Sequence, residues 1–291
     1  MKKIAILGCE NSHANSFLDF IFNVEKYSDI EVVGVYSNEP AASKALNEKY
    51  GVKVLDGYAD AVGKVDGLIV TARHGDLHYE YAKPYIESGI PMFIDKPVTI
   101  KESEAIEFMR ELRNRGIRVT GGSSLKHDHG VKALKEQRLN AVDGDTLGGF
   151  VRAPLNCDNI YGGFYFYAPH LVEVVLEVFG RYPVSVEAKR NGDVVTVKFG
   201  YGAFDVDGMF VENNYVYYAC RSATKSVLGM NLESTDDHNW FKSEFDEFYS
   251  VLNGADQPVS YDDFISSVFV MNAIERSLNS GKEEKIAYVT V

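Results

Sequence analysis

Two residues stand where their neighbours in the chain suit them to chemistry. Asp95-Lys96-Pro97 closes the apolar run Gly89-Ile90-Pro91-Met92-Phe93-Ile94. That run reads as a buried parallel strand, so Lys96 lies at the strand's carboxyl end, the edge beyond which open α/β sheets bind ligands. Pro97 sets φ just after the lysine and ends strand pairing there. The ammonium is thereby aimed into a crevice; the plainer alternative is a strand-end lysine in solvent. The second residue is His170, in Gly162-Gly163-Phe164-Tyr165-Phe166-Tyr167-Ala168-Pro169-His170. Pro169 fits the first position of the apolar helix that follows, and Gly180 fits its C-terminal cap. His170 is then expected in the first turn, where the positive end of the helix favours a neutral imidazole able to accept a proton. The alternative is a helix-start histidine packed under aromatic rings.

The elements that position these groups follow from periodicity. Over residues 1–121 strands alternate with helices: Ile4 to Leu7, Glu31 to Tyr36, Val52 to Leu55, Asp66 to Thr71, Met92 to Ile94 and Arg118 to Thr120 read as strands. Helices are expected over Pro40 to Tyr50, Leu77 to Ser88 and Glu102 to Arg115. Such alternation implies a doubly wound parallel sheet of the Rossmann type. Residues 122–291 read differently. Val184 to Lys189, Asp193 to Phe199, Asn214 to Cys220 and Ser226 to Met230 alternate apolar and polar residues, with the hairpin signal Asn191-Gly192 between the first two. This is an α+β domain with a mostly antiparallel open sheet. Helices follow over Trp240 to Leu252 and Tyr261 to Ser280, then a final strand over Lys285 to Val291; the last helix of the first domain could return from this C-terminal part.

The turn after the first strand, Gly8-Cys9-Glu10-Asn11-Ser12-His13, leads into a helix that Ser12 can cap. The free amides of a first helical turn suit a pyrophosphate. A dinucleotide fingerprint has three glycines and this turn has one. Glu10 stands where glycine normally lets backbone approach the phosphates. The second strand ends at Ser37 and Asn38, with neither the acid that holds a ribose nor an arginine for a 2′-phosphate. NAD and NADP both remain open. Thr71, Ala72 and Arg73, or His74, lie at the next strand end. His78 opens a helix and reads first as a capping residue.

Lys126-His127-Asp128-His129 has metal-ligand residue types, but adjacent positions do not share a face and further ligands would be needed. No metal is expected; the segment caps the Gly130–Gln137 helix or lines a pocket. Asn156, Asp158 and Tyr161 are candidate substrate contacts, and Phe164 to Tyr167 a packing and stacking wall. The chain has 291 residues, 45% hydrophobic and 25% charged, with a net charge of −12. That charge argues against nucleic acid and anionic membranes, both of which call for a basic face. Three cysteines without metal spacing, no leader pattern and no apolar run near the ~20 residues that span a bilayer point to the cytoplasm.

Taken together, Gly8…His13, Asp95-Lys96-Pro97, Gly162-Gly163…His170 and Phe245…Phe248…Gly254…Pro258 resemble the glucose–fructose oxidoreductase / inositol dehydrogenase / MocA family along essentially the whole chain. The resemblance implies a Rossmann domain and a second domain whose open sheet often makes oligomers, here a dimer or tetramer. It implies NAD or NADP, a sugar-like or polyol substrate, Lys96 beside nicotinamide and substrate hydroxyl, and His170 as proton acceptor. It also implies a cis Lys96–Pro97 peptide and cofactor contacts from Gly8 through His13, Ser37, Asn38, Thr71, Ala72, Arg73, His78 and Asp95 to Pro97. Catalytic members carry an aspartate four residues before the histidine; here that residue is Phe166, and Tyr167 is a candidate replacement. Two further readings fit the fold: a non-catalytic nucleotide- or sugar-sensing regulatory homologue, and an NAD-assisted lyase or glycosidase.

Overall fold

A computed structural model describes residues 1–235 and 239–291. Grouped by contacts, Met1–Gly122, Phe241–Tyr261 and Val291 form one unit, and Ser123–Trp240 with Asp262–Thr290 form the other.

The first unit is built on β1 (Lys2–Leu7), β2 (Ile30–Tyr36), β3 (Gly67–Val70), β4 (Met92–Asp95) and β5 (Val119–Gly122). All pair in parallel, in the order β2-β1-β3-β4-β5. β3, β4 and β5 are buried along their whole length, as a parallel sheet covered on both faces requires. Helices α1 (Ser12–Asn23), α2 (Pro40–Tyr50), α3 (Asp76–Ala82) and α4 (Glu102–Asn114) connect the strands. Strand order reverses between β1 and β3, so the ligand crevice of such a sheet opens beyond those two strand ends. Val52–Leu55 makes only an isolated bridge, Val35 to Val54, and no strand. The helix expected to Ser88 turns into a 3₁₀ segment at Lys83, where Pro84 cannot donate the next helical hydrogen bond.

The second unit contains α5 (His129–Asn140), β6 (Thr146–Leu155), α6 (Phe164–Phe179), β7 (Ser185–Asn191), β8 (Val194–Gly200), β9 (Asp205–Glu212), β10 (Tyr218–Ala223) and β11 (Val227–Asn231). After α7 (Trp240–Leu252), α8 (Tyr261–Ser280) and β12 (Glu284–Lys285) complete it. Its sheet runs β11-β10-β6-β9-β8-β7-β12, antiparallel except for β6 with β9. β6 and β9 lie outside the strands expected from alternation, because Gly148, Gly149, Pro154 and Gly208 interrupt the apolar pattern. Gly149 has a packing reason: a Cβ there would sit 2.2 Å from the Phe179 ring. The final strand is two residues long and not seven, and Arg113 on α4 binds the Val291 carbonyl in the first unit.

α7 packs with the Rossmann sheet through Phe245, Phe248 and Leu252, spaced along one helical stripe. The Phe245 ring lies 5.1 Å from that of Phe17 on α1. α6 packs on β6, β9 and α5, with Leu171, Val172, Val175 and Val178 among its buried residues. None of the described helices is long and apolar enough to cross a membrane.

Candidate functional site

Four strand ends of the first unit collect Gly8 to His13, Ser37, Asn38, Thr71 to Arg73 and Asp95 to Pro97. Gly8 leaves β1 at φ +74°, and its missing side chain lets the turn press on Ala72, to which a Cβ would come within 2.3 Å. The Gly8 and Cys9 amides both donate to the Tyr36 carbonyl, tying the turn to β2. Thr71 Oγ1 donates to the Gly8 carbonyl at 3.1 Å. Cys9 turns its thiol toward Ser43 on α2, and burial pushes its pKa up to about 11. Thr71, Ala72 and the Cys9 side chain are buried and shape the turn.

Asn11, not Ser12, caps α1: its side chain accepts from the His13 amide. Asn11 wins because its amide nitrogen also donates to Asp95 at 2.8 Å, fixing the side chain over the helix end. Ser12 is exposed and donates to Asn11.

Glu10 does not point into solvent. Only 8% exposed, its carboxylate accepts from Ser37 Oγ at 2.6 Å and from the Arg73 amide at 2.9 Å. It spans the ends of β2 and β3 above β1, while Asn38 is exposed. His74 accepts from the Asp76 amide at the start of α3. His78 is fully buried, with Nδ1 2.7 Å from the Pro97 carbonyl and Nε2 2.8 Å from that of Ala72. It ties the loop after β3 to the loop after β4 and has no ring nitrogen to spare for a cofactor.

Lys96 is 5% exposed, and the peptide linking it to Pro97 is cis. Burial pulls its ammonium below the ordinary lysine pKa, against the attraction of Asp95 and Glu244 and with help from Arg73. Asp95 is the hub of this corner. It accepts from the Asn11 amide, from the Lys96 backbone amide at 2.7 Å and from His13 Nδ1 at 3.1 Å. The other ring nitrogen of His13 lies 3.3 Å from Glu244 on α7. Burial alone would keep His13 neutral; the two carboxylates outweigh it and push its pKa up to about 9. Burial would likewise raise the Asp95 carboxyl, but His13 and Lys96 hold it below its ordinary value.

In the second unit, α6 begins at Phe164, so Pro169 lies inside the helix and His170 in its second turn. The expected first-turn placement is corrected: Gly163, at φ 56°, starts the helix one turn earlier. The orienting contact for His170 is instead Ser123, whose Oγ lies 2.8 Å from Nδ1. Rings surround the imidazole, with Tyr167 at 5.9 Å and Tyr217 at 6.1 Å. Tyr215 stands 5.6 Å from Tyr167. Tyr161 packs on Phe166, Asn156 bonds Asn213, and Asp158 is exposed. Asp128 caps α5 and accepts from Trp240 Nε1 at 3.0 Å. Among the described residues, no group of three or more acidic, histidine or cysteine side chains is placed to hold a metal.

Ser123, Glu244, Tyr215 and Tyr217 were not marked by any motif. Ser123 had one local signal, its place just after Gly121-Gly122 at a strand end. Glu244 had none, since only the return of α7 brings it to His13.

Residues 2–123 match a family model described as an oxidoreductase family with an NAD-binding Rossmann fold. The uncharacterized oxidoreductase YhhX of Escherichia coli K12 is 26% identical over 126 residues, 39% of this chain and 35% of that protein. The chain thus spans about a third of the length of the curated relatives it matches. Solved structures are similar over nearly the whole chain. A myo-inositol dehydrogenase from Corynebacterium glutamicum superposes with a TM-score of 0.83 at 15% identity, covering 99% of this chain and all of that one. A scyllo-inositol dehydrogenase from Lactobacillus casei, solved with NAD(H) and scyllo-inositol, gives 0.84 at 14%, covering 98% and 99%. These likenesses establish the fold.

Proposed function

We propose that this chain, whose Rossmann domain belongs to the glucose–fructose oxidoreductase / inositol dehydrogenase / MocA family, is a nicotinamide-dependent dehydrogenase or reductase acting on a hydroxyl or carbonyl of a sugar-like or polyol substrate. The observation that carries the reading is the buried Lys96 ammonium, held at the carboxyl end of β4 within a cluster of fixed charges. A surface lysine at a strand end would need no such support. The residues fit the cofactor at the crevice: α1 presents its N-terminus there, and a carboxylate stands at the ribose edge. The cofactor, when bound, supplies the hydride acceptor.

The chain's own groups do the rest in this reading. His170 keeps Nδ1–H on Ser123 Oγ, which makes Nε2 the basic nitrogen that takes the hydroxyl proton. Lys96 stabilises negative charge developing on the substrate oxygen, the kind of preorganised electrostatic contribution that is usually largest. Tyr167, Tyr215 and Tyr217 offer sugar-stacking faces beside His170. Asn156, Asp158 and Tyr161 are proposed as outer substrate contacts. The polyol class rests on the likeness in fold to inositol dehydrogenases. The reading divides the chain into a cofactor domain over 1–121, with its last helix returning from the C-terminal part, and a substrate and oligomerisation domain over the rest of 122–291. It has the protein working as a homo-oligomer in the cytoplasm, which the free thiols of Cys9, Cys157 and Cys220 support.

Purified protein titrated with NADH should quench or shift nicotinamide fluorescence at micromolar concentration. A panel of inositols, sugars and sugar acids should then yield one that reduces NAD in step with product. Cofactor binding with no turnover across the panel would favour the sensing homologue, and cofactor that co-purifies and is recycled the lyase or glycosidase. If the base assignment is right, Ser123→Ala lowers kcat roughly tenfold, a fraction of the 10²–10⁴ that a positioned base supplies. The same variant should move the acidic limb of the kcat–pH profile and leave KM nearly unchanged. An unmoved profile would make Ser123 a packing residue only.

A further inference from the structure

We infer that Glu10 is the residue that selects NAD(H) over NADP(H), by supplying from the first turn the carboxylate that this chain lacks at the end of β2. The inference rests on the nicotinamide reading above and deepens it.

In doubly wound sheets the adenosine ribose lies against the end of the second strand, where an acid accepts from its hydroxyls when the 2′ position is free. The chain has Ser37 there and no acid. Folding brings one in. Glu10 Oε2 accepts from Ser37 Oγ at 2.6 Å, so the carboxylate stands beside that serine. The Arg73 amide holds the other oxygen. Ser37 Oγ is itself fixed, accepting from the Glu39 amide at 2.9 Å. A carboxylate has about four acceptor positions. These two bonds leave room for the two hydroxyls of a vicinal diol.

A 2′-phosphate at the same place would set about two negative charges against a carboxylate that is 8% exposed and poorly screened. Lys44, the first lysine after β2, lies on α2 and pairs with Glu48. From Tyr36 to Ser43 there is no lysine or arginine, and Glu39 adds a further negative charge. Arg73 holds the carboxylate through its backbone amide, and its guanidinium is close enough to Lys96 to disfavour that ammonium.

The test is direct binding, read by calorimetry, of NADH and NADPH to the full chain and to Glu10→Gln and Glu10→Gly. ADP-ribose and its 2′-phosphate serve as probes of the adenosine half alone. Wild type should prefer NADH by at least 100-fold, and ADP-ribose over its 2′-phosphate to a similar degree. Glu10→Gln should cut that preference at least tenfold, mostly by gaining affinity for the 2′-phosphate. The inference is overturned if wild type binds both forms equally or prefers NADPH. It is also overturned if Glu10→Gly strengthens both by the same factor, since the side chain would then be only an obstacle to the pyrophosphate. In each of those cases the nicotinamide reading survives. If folded protein of all three sequences binds no dinucleotide, the nicotinamide reading itself fails and takes the inference with it.

Discussion

Replacing His13 by alanine lowers the unfolding free energy by about 3–5 kcal/mol at pH 6, the range for breaking a buried ion pair by removing one partner. His13 is 3% exposed, and Asp95 and Glu244 are fully buried. Its imidazolium bridges them at 3.1 Å and 3.3 Å. Without it, two carboxylates face each other across a cavity, and the pair must take up a proton to remain buried. Phe241 and Phe17, whose rings lie 4.4 Å and 5.8 Å from the imidazole, lose their packing partner as well. Equilibrium urea unfolding measures the loss. A drop below about 1 kcal/mol would mean that the bridge is not charged.

The same bridge gives stability a direction with pH. His13 titrates near 6.5 when unfolded and is pushed up to about 9 when folded. Its stabilisation is complete below about pH 6.5, where both states carry the proton. As pH rises the unfolded chain releases its proton first, so it binds fewer protons than the native state and stability falls. The loss runs from about pH 6.5 to about pH 9 and amounts to about 3.5 kcal/mol, at ~1.4 kcal/mol per unit. The gap between wild type and His13→Ala should narrow over the same window. A gap independent of pH would reduce His13 to a packing role.

What the sequence made legible divides by range. Strand–helix alternation over the first 121 residues was readable because each parallel strand is a short apolar run between helices, and β4 with Lys96 is one such run. Glu10 was readable as an anomaly, but not its role, because Ser37 and Arg73 meet its carboxylate only once β2 and β3 flank β1. His13 sits where a dinucleotide turn normally has its third glycine, and its partners come from β4 and α7, far away in sequence. The start of α6 was misread because Pro169 mimics a first helical residue, whereas Gly163 begins the helix and the proline is carried within it. The β6–β9 pair was hidden by glycines that serve packing and not turns. Local chemistry was thus visible, and the long-range partners that set charge and orientation were not.

Lys96→Met should lower kcat on the identified substrate by about 10³-fold, at the upper end of what removal of one preorganised donor costs. NADH affinity should change by less than threefold. The argument starts from burial. An ammonium 5% exposed at the end of β4 has been stripped of most of its water, which lowers its pKa. Asp95 and Glu244 oppose that fall, and His13 neutralises part of those same carboxylates. An ammonium held there would act on an oxyanion with little screening by water, unlike a surface lysine. Methionine keeps the apolar stem and removes only the charge, so packing around Pro97 and His78 is preserved. Lys96→Arg should rescue poorly, because a planar guanidinium cannot occupy the place of a compact ammonium. A fall in kcat/KM that comes from KM alone would show that Lys96 binds the substrate without stabilising the transition state. Equal falls in kcat and kcat/KM, with NADH binding intact, are the outcome that places its charge on the reacting oxygen.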